Sequence, residues 1–330
     1  MKKLKLAVIG CGDITKFMMI FAAITYRVEV VGCADIDRKK AEKYTRYFTR
    51  ARAFTDYDDM VSAVQPDAVY LAVPHYLHHP IMKKMIDYRV HVFCEKPITT
   101  NVADAEEIVV LAKSNRVKVA VNYQYRYDKA CYQMVMAARS GALGRLHYAV
   151  CNLHWHRDPS YFSSAPWHAT IAQSGGGTLL TQGSHFLDIA LWAMGKTPTK
   201  VTALTRRLKF DQVEVEDTAA GIIELGDDQF ISVLSSMSSA KEEPATISIY
   251  GEKGQLHFRD SLLNKLTVKN LNLKRYRLPV KGIHSLHRSL KGFVSWILDD
   301  VSHLSTAADA ILVLRCVDEM YRSARHELSP

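Results

Sequence analysis

The 330-residue chain contains no apolar run long enough to cross a bilayer, no internal repeat and no low-complexity tract. No membrane partner is therefore expected. Its six cysteines, Cys11, Cys33, Cys94, Cys131, Cys151 and Cys316, form no Cys-x-x-Cys pair. Most sit in apolar runs and read as buried free thiols of a reducing compartment. Met1-Lys-Lys opens like a secretory leader. The run that follows is broken by Lys5, Asp13 and Lys16 and is used as a strand, so a cytoplasmic location is expected. No basic cluster is interleaved with aromatics, so no nucleic-acid partner is expected. The histidine pairs His154-Trp-His156 and His78-His79 lack a third ligand at suitable spacing, so no metal is expected.

What is present is an ordinary globular composition, 48% hydrophobic and 23% charged. A chain this long buries roughly 75% of its unfolded surface and has a prior of two domains. Lysine and arginine number 43 against 34 acids, a formal +9 spread along the chain. That excess suits a small anionic ligand.

The organising stretch is Leu4 to Thr15. Leu6-Ala-Val-Ile9 reads as a strand buried on both faces, and it stops at Gly10-Cys-Gly12. Ile14, Phe17, Met18, Phe21 and Ala22 then recur at helical spacing. Strand, glycine turn and helix form the context of a dinucleotide loop: glycine permits the turn and the close backbone approach, and the helix N-terminus faces the pyrophosphate. The third glycine position holds Thr15. A second strand, Val28 to Ala34, ends at Asp35, about 20 residues past the loop, where an acid accepts the ribose hydroxyls and repels a 2′-phosphate. NAD is thus favoured, with NADP as the alternative.

Further along, helical patterns at 38–49, 57–64, 78–88 and 101–112 alternate with apolar runs at 68–73, 90–94 and 117–121. The alternation predicts a doubly wound parallel sheet, whose ligands bind beyond the strand C-termini. Gly10–Thr15, Asp35, Pro74–His79 and Glu95–Pro97 all fall at that edge. After Tyr123 the style changes. A helix is predicted over 128–139, then strands at 145–154, 199–207, 213–225, 229–237, 245–250, 255–259 and 265–269, interrupted by a helix over 183–194. Helices over 285–302 and 306–325 follow. This half reads as an α+β domain with a large, mainly antiparallel open sheet.

Two stretches carry chemistry. Glu95-Lys-Pro97 ends a buried strand at the cofactor edge, where the Lys96 ammonium can donate to a substrate oxygen. In Ser174 to Asp188, three glycines allow close backbone approach, and His185 is a natural proton acceptor for an alcohol. If the helix has begun by Thr181, that residue and His185 form an i,i+4 pair, and Asp188 stands three beyond His185 to orient it.

In these pieces the chain resembles the Gfo/Idh/MocA oxidoreductases, which include glucose–fructose oxidoreductase and inositol dehydrogenase. The resemblance rests on Gly10-Cys-Gly-Asp-Ile14, Ala34-Asp35, Pro74 with Leu77-His78, Cys94-Glu-Lys-Pro97 and Asn122-Tyr-Gln-Tyr-Arg-Tyr127. Gly175-Gly-Gly177, Gln182-Gly-Ser-His-Phe-Leu-Asp188 and Met320-Tyr-Arg-Ser-Ala324 complete it. It implies a Rossmann domain over 1–122, a substrate and oligomerisation domain over 123–305, and a C-terminal helix over 306–330 packing back on the first. It implies a cis Lys96–Pro97 bond and a catalytic pair of Lys96 and His185. The cofactor residues would be Gly10, Gly12, Asp13, Ile14, Asp35, Pro74, His78, Glu95 and Lys96. Tyr125, Arg126, Trp167, Thr181, Gln182 and His185 would line the substrate site, and the open sheet would join a homodimer or homotetramer. Two positions depart from the family pattern. Thr181 replaces an aspartate common four residues before the histidine, and Trp167-His168 stands where Trp-Arg is frequent.

The expected function is NAD-dependent oxidation of a secondary alcohol on a sugar, cyclitol or nucleotide-sugar. The alternatives are an NADPH-dependent keto-sugar reductase and a nucleotide-binding sensor without catalysis.

Overall fold

The computed structural model describes residues 2–261 and 264–326. The chain divides into two compact units. The first comprises the chain up to Thr99, Ala103–Tyr127 and Val280–Ala310. The second comprises Thr100–Val102, Asp128–Pro279 and the chain from Ile311 on.

The first unit holds β1 (Leu4–Ile9), α1 (Asp13–Ala23), β2 (Val28–Ala34), α2 (Arg38–Thr45), β3 (Arg52–Phe54), α3 (Tyr57–Val64), β4 (Ala68–Leu71), α4 (His78–Asp87), β5 (His91–Cys94), α5 (Val102–Asn115) and β6 (Val119–Val121). Its six strands run in the order β3-β2-β1-β4-β5-β6, every pair parallel. β1 is buried at Leu4 and from Leu6 to Ile9, as a central strand covered on both faces must be. The strand order reverses between β1 and β4, which puts the binding crevice of such a sheet at the end of β1.

The second unit opens with α6 (Lys129–Arg139), β7 (Leu146–His154) and the short helices α7 (Ser160–Ser163) and α8 (Ile171–Ser174). A one-turn π-helix, Leu179–Gly183, leads into α9 (Ser184–Met194). Strands β8 (Pro198–Arg206), β9 (Thr218–Leu225), β10 (Gln229–Ser236), β11 (Thr246–Gly251), β12 (Gly254–Arg259) and β13 (Lys265–Lys269) complete a seven-stranded sheet, β13-β12-β11-β7-β10-β9-β8. It is antiparallel except for β7 beside β10. Along β7, Ala149, Cys151 and Leu153 are buried, and the Cys151 thiol approaches the Phe186 carbonyl of α9 at 3.6 Å. The opposite face carries a half-buried ladder across four strands. Tyr148 stacks on Phe230 at 5.2 Å and on Tyr250 at 4.5 Å, and His257 meets Tyr250 edge-on.

The compact units do not follow the boundaries read from the sequence. Val280–Ala310 belongs to the first unit because α10 (Ser285–Asp299) inserts Leu286, Leu290, Phe293 and Val294 into the core around β1. Phe293 stacks on Phe93 of β5 at 5.1 Å. Arg27 grips Asp299 with two contacts of 2.5 and 2.7 Å. From Ile311 the last helix, α11 (Ala307–His326), groups with the second unit. Met320 lies over Gly221, where a Cβ would come within 2.6 Å of its methyl carbon, and the Ala203 N–H donates to the Ser323 hydroxyl at 3.1 Å. The expected strand over 213–225 begins only at Thr218. The buried Asp217 carboxylate instead accepts the N–H groups of Leu208, Lys209 and Phe210, and so fixes a loop.

Phe293→Ala deletes a stacked ring from a core that draws on the chain from Leu4 to Val294. The first unit should lose about 3–5 kcal/mol. Hydrogen exchange would speed up in β1 and β5 while β9 and β10 stay as protected as in the parent protein.

Candidate active site

In the first unit, β1 hands over to α1 through Gly10 and Gly12. Gly10 has φ +89°, and a Cβ there would sit 2.2 Å from the Ala72 carbonyl oxygen, so only glycine fits. A Cβ at Gly12 would meet nothing within 4 Å, and no side chain caps α1. The turn therefore presents open backbone and helix N–H groups. Thr15, in the third glycine position, is fully buried and donates its hydroxyl to the Gly10 carbonyl at 2.8 Å. Asp35, at the end of β2, accepts the Cys11 N–H at 2.8 Å and the Asp37 N–H at 2.9 Å, one on each oxygen. An open turn, an uncapped helix and a fixed carboxylate fit a dinucleotide. Asp13 and Ile14 are exposed on the first turn of α1.

At the end of β5, Glu95 Oε1 accepts the Tyr70 hydroxyl at 2.6 Å and the Asn122 amide at 2.8 Å. Asn122 in turn accepts the Ser289 hydroxyl at 2.9 Å, which ties the site to α10. Burial raises the Glu95 pKa against the pull of those donors. Burial lowers that of the adjoining Lys96 ammonium, with Glu95 opposing. The Lys96–Pro97 bond is cis, as the resemblance implies. His78 is fully buried, with Nδ1 2.7 Å from the Pro97 carbonyl and Nε2 3.0 Å from the Val73 carbonyl. Burial drives its pKa down to about 4. A neutral ring carries a single N–H, so His78 donates to one of these two carbonyls and ties that turn of the crevice edge.

Arg126, expected to line the substrate site, is buried. It donates to the Leu304 carbonyl at 2.6 Å and pairs with Asp309 at 3.3 Å. Tyr125 beside it is half-buried.

In the second unit the glycine stretch is pinned from below. Glu216 Oε2 accepts the Gly177 N–H at 2.7 Å, and Oε1 accepts the Leu179 N–H and the Tyr321 hydroxyl, each at 2.9 Å. Thr181 lies in the π turn rather than in the α-helix, so plain i,i+4 spacing does not set its direction. Its hydroxyl turns back onto the Gly177 carbonyl at 2.7 Å. Gln182 is buried and accepts the Thr178 hydroxyl at 3.1 Å. His185 is half-buried on the first turn of α9, and Asp188 is fully buried one turn on. Trp167 and His168 stack at 3.7 Å, and His168 stacks on Tyr161 at 4.5 Å while its Nδ1 lies 3.2 Å from the Tyr161 hydroxyl. Burial raises the Tyr161 pKa, opposed by hydrogen bonds with Thr181 and Gln182. Trp167, Thr181 and Gln182 thus gather around Tyr161.

Sequence reasoning missed Tyr161, Glu216 and the part played by Tyr321. The three-glycine run was the available signal, since backbone that open must be approached closely by something. Lys96 belongs to the first unit and His185 to the second.

Among the described residues one group, His79, Asp104 and Glu107, brings potential metal ligands within 4.8 Å of one another. His79 Nε2 faces Glu107 at 2.6 Å while Nδ1 faces Asp104 at 3.8 Å, and Lys83 holds the other Glu107 oxygen at 2.7 Å. The two carboxylates approach different ring nitrogens of His79.

Burial pushes the Glu216 carboxyl up to about 7, against the pull of the Leu179 and Gly177 N–H groups and the Tyr321 hydroxyl. The folded state then holds this proton more tightly than the unfolded state. The group's contribution is intact at low pH and is lost as pH rises from the ordinary carboxyl range to about 7. The stability of the parent relative to Glu216→Gln should fall by about 2–3 kcal/mol between about pH 5 and about pH 8. Denaturant midpoints at the two pH values check this.

Residues 4–123 match the oxidoreductase family model with an NAD-binding Rossmann fold, and residues 133–257 match the GFO/IDH/MocA C-terminal domain. An uncharacterised oxidoreductase of Schizosaccharomyces pombe is 28% identical over 225 residues, 66% of this chain and 59% of that protein. The 1,5-anhydro-D-fructose reductase of Ensifer adhaerens is 24% identical over 307 residues, 92% of this chain and 91% of that one. The WlbA dehydrogenase of Bordetella pertussis, solved with NADH and UDP-GlcNAcA, superposes with a TM-score of 0.88 at 24% identity, over 99% of this chain and 98% of that one. The chain is an NAD(P)-dependent oxidoreductase belonging to the Gfo/Idh/MocA family.

Proposed function

We propose that this protein oxidises a secondary alcohol on a sugar, cyclitol or nucleotide-sugar with NAD. The observation that carries the reading is a desolvated lysine at the end of β5 together with a half-buried histidine on the first turn of α9. NAD, when bound, supplies the hydride acceptor. A His185 ring nitrogen takes the hydroxyl proton. Lys96 donates to the same oxygen and stabilises the negative charge that builds on it. Tyr125, Trp167 and Gln182 orient the substrate. Asp35 selects NAD, and the nearby Arg38 pairs through Nε with Glu42 at 2.8 Å. UDP-GlcNAcA in WlbA and the anhydro-sugar named for the Ensifer enzyme favour a carbohydrate. In the same reading the aromatic ladder around Tyr148 joins two copies of the chain, in a homodimer or a homotetramer.

Turnover of a panel of hexoses, inositols and UDP-sugars with NAD tests the chemistry. His185→Ala and Lys96→Ala should each lower kcat by about 10²–10⁴. Full kcat in either variant removes the assignment, and tighter binding of NADP than of NAD removes the role of Asp35. Tyr148→Glu should reduce the sedimenting mass to that of one chain, and an unchanged mass moves the interface elsewhere.

A further inference from the structure

We propose that Glu216 is a positioning residue for His185: with Tyr321, it locks the glycine turn from which the π turn and α9 spring. The inference rests on the acid/base reading of His185.

Three consecutive amides end on one residue. The Gly177 and Leu179 N–H groups donate to the Glu216 carboxylate, and the Thr178 N–H donates to the Glu216 backbone carbonyl at 3.1 Å. The glycines exist for this approach. A Cβ at Gly177 would sit 1.8 Å from the Glu216 carbonyl oxygen, and one at Gly176 would sit 2.2 Å from the Tyr321 hydroxyl. The clamp is passed on through the backbone. The Gly177 carbonyl accepts both the N–H of Thr181, at 2.9 Å, and its hydroxyl. The Leu180 carbonyl accepts the Ser184 hydroxyl at 2.6 Å. His185 is the next residue, so any rotation of the turn re-aims its ring.

The residue type matters. An ionised carboxylate accepts on both oxygens, as three donors here require. A carboxamide offers one acceptor and turns its own N–H₂ towards a donor. A clamp that only filled space would not need two acceptor oxygens in a buried site. Burial raises the carboxyl pKa, and the Leu179 and Gly177 N–H groups and the Tyr321 hydroxyl pull it back towards the ionised form.

The test uses the full chain with Glu216→Gln and, should that variant fold poorly, Tyr321→Phe. Three readings are taken: amide exchange over residues 176–183, the NMR titration midpoint of the His185 imidazole, and kcat on the sugar panel beside the Kd for NAD. In Glu216→Gln we expect exchange at 177–179 to speed up about tenfold or more. The His185 midpoint should move, and kcat should fall about tenfold with the Kd for NAD unchanged. Tyr321→Phe should shift all three the same way by less. Unchanged exchange overturns the proposal. Faster exchange with an unmoved His185 midpoint also overturns it, since that is a merely structural role. If His185→Ala retains full turnover, the acid/base reading fails, and the exchange and midpoint data still decide whether Glu216 holds that ring.

Discussion

The interaction on which the working parts depend is a carboxylate accepting main-chain N–H groups. Asp35 holds the Cys11 amide in the dinucleotide turn. Glu216 holds Gly177 and Leu179, and Asp217 gathers the amides of residues 208–210. Asp35 follows the end of β2, Glu216 and Asp217 precede the start of β9, and each fixes a turn that no regular ladder would fix. Such bonds are charge-assisted and short, so they hold backbone where secondary structure has stopped. A binding turn must keep its outer face open and still be rigid. A carboxylate on its inner face meets both needs.

The same logic governs the lysine edge, with the sign of burial made explicit. Desolvation pushes Glu95 up and Lys96 down, moving both towards neutrality. Tyr70 and Asn122 oppose this by donating to the Glu95 carboxylate, and the ionised acid then favours the ammonium. Burial is the larger influence on the lysine, and the hydroxyl and amide behind its neighbour work against it through Glu95. Ser289 of α10 is joined to the same chain of bonds through Asn122. A helix almost 200 residues away in sequence thus bears on the charge at the end of β5.

What could be read in the sequence was local. β1, the glycine turn and α1 announce themselves through an apolar run, Gly10 and a change of period. Asp35 follows at a fixed spacing, and Glu95-Lys-Pro97 sits at a strand end. The second sheet was visible as alternation, because one of its faces is covered and the other is not. What could not be read joins distant residues. Arg27 meets Asp299, Tyr321 meets Glu216, and Glu216 meets Gly177, contacts separated by 272, 105 and 39 positions. No periodicity encodes them. The π turn escaped for another reason: nothing in the spacing of Leu179 to Gly183 marks a π turn apart from the start of the α-helix that follows. The start of β9 was misplaced because Val213 and Val215 look like strand residues while Asp217 holds the chain in a loop.

Thr181 takes its meaning from this arrangement. Its hydroxyl donates to the Gly177 carbonyl. An ionised aspartate in that place can only accept, so it would lose the bond and face a carbonyl lone pair. The threonine ties its own turn to Gly177, the residue whose N–H is held by Glu216 on its other side. This chain has a neutral donor at position 181 and a buried carboxylate beneath the glycine turn. The two features act together. The histidine is aimed through a stiffened backbone.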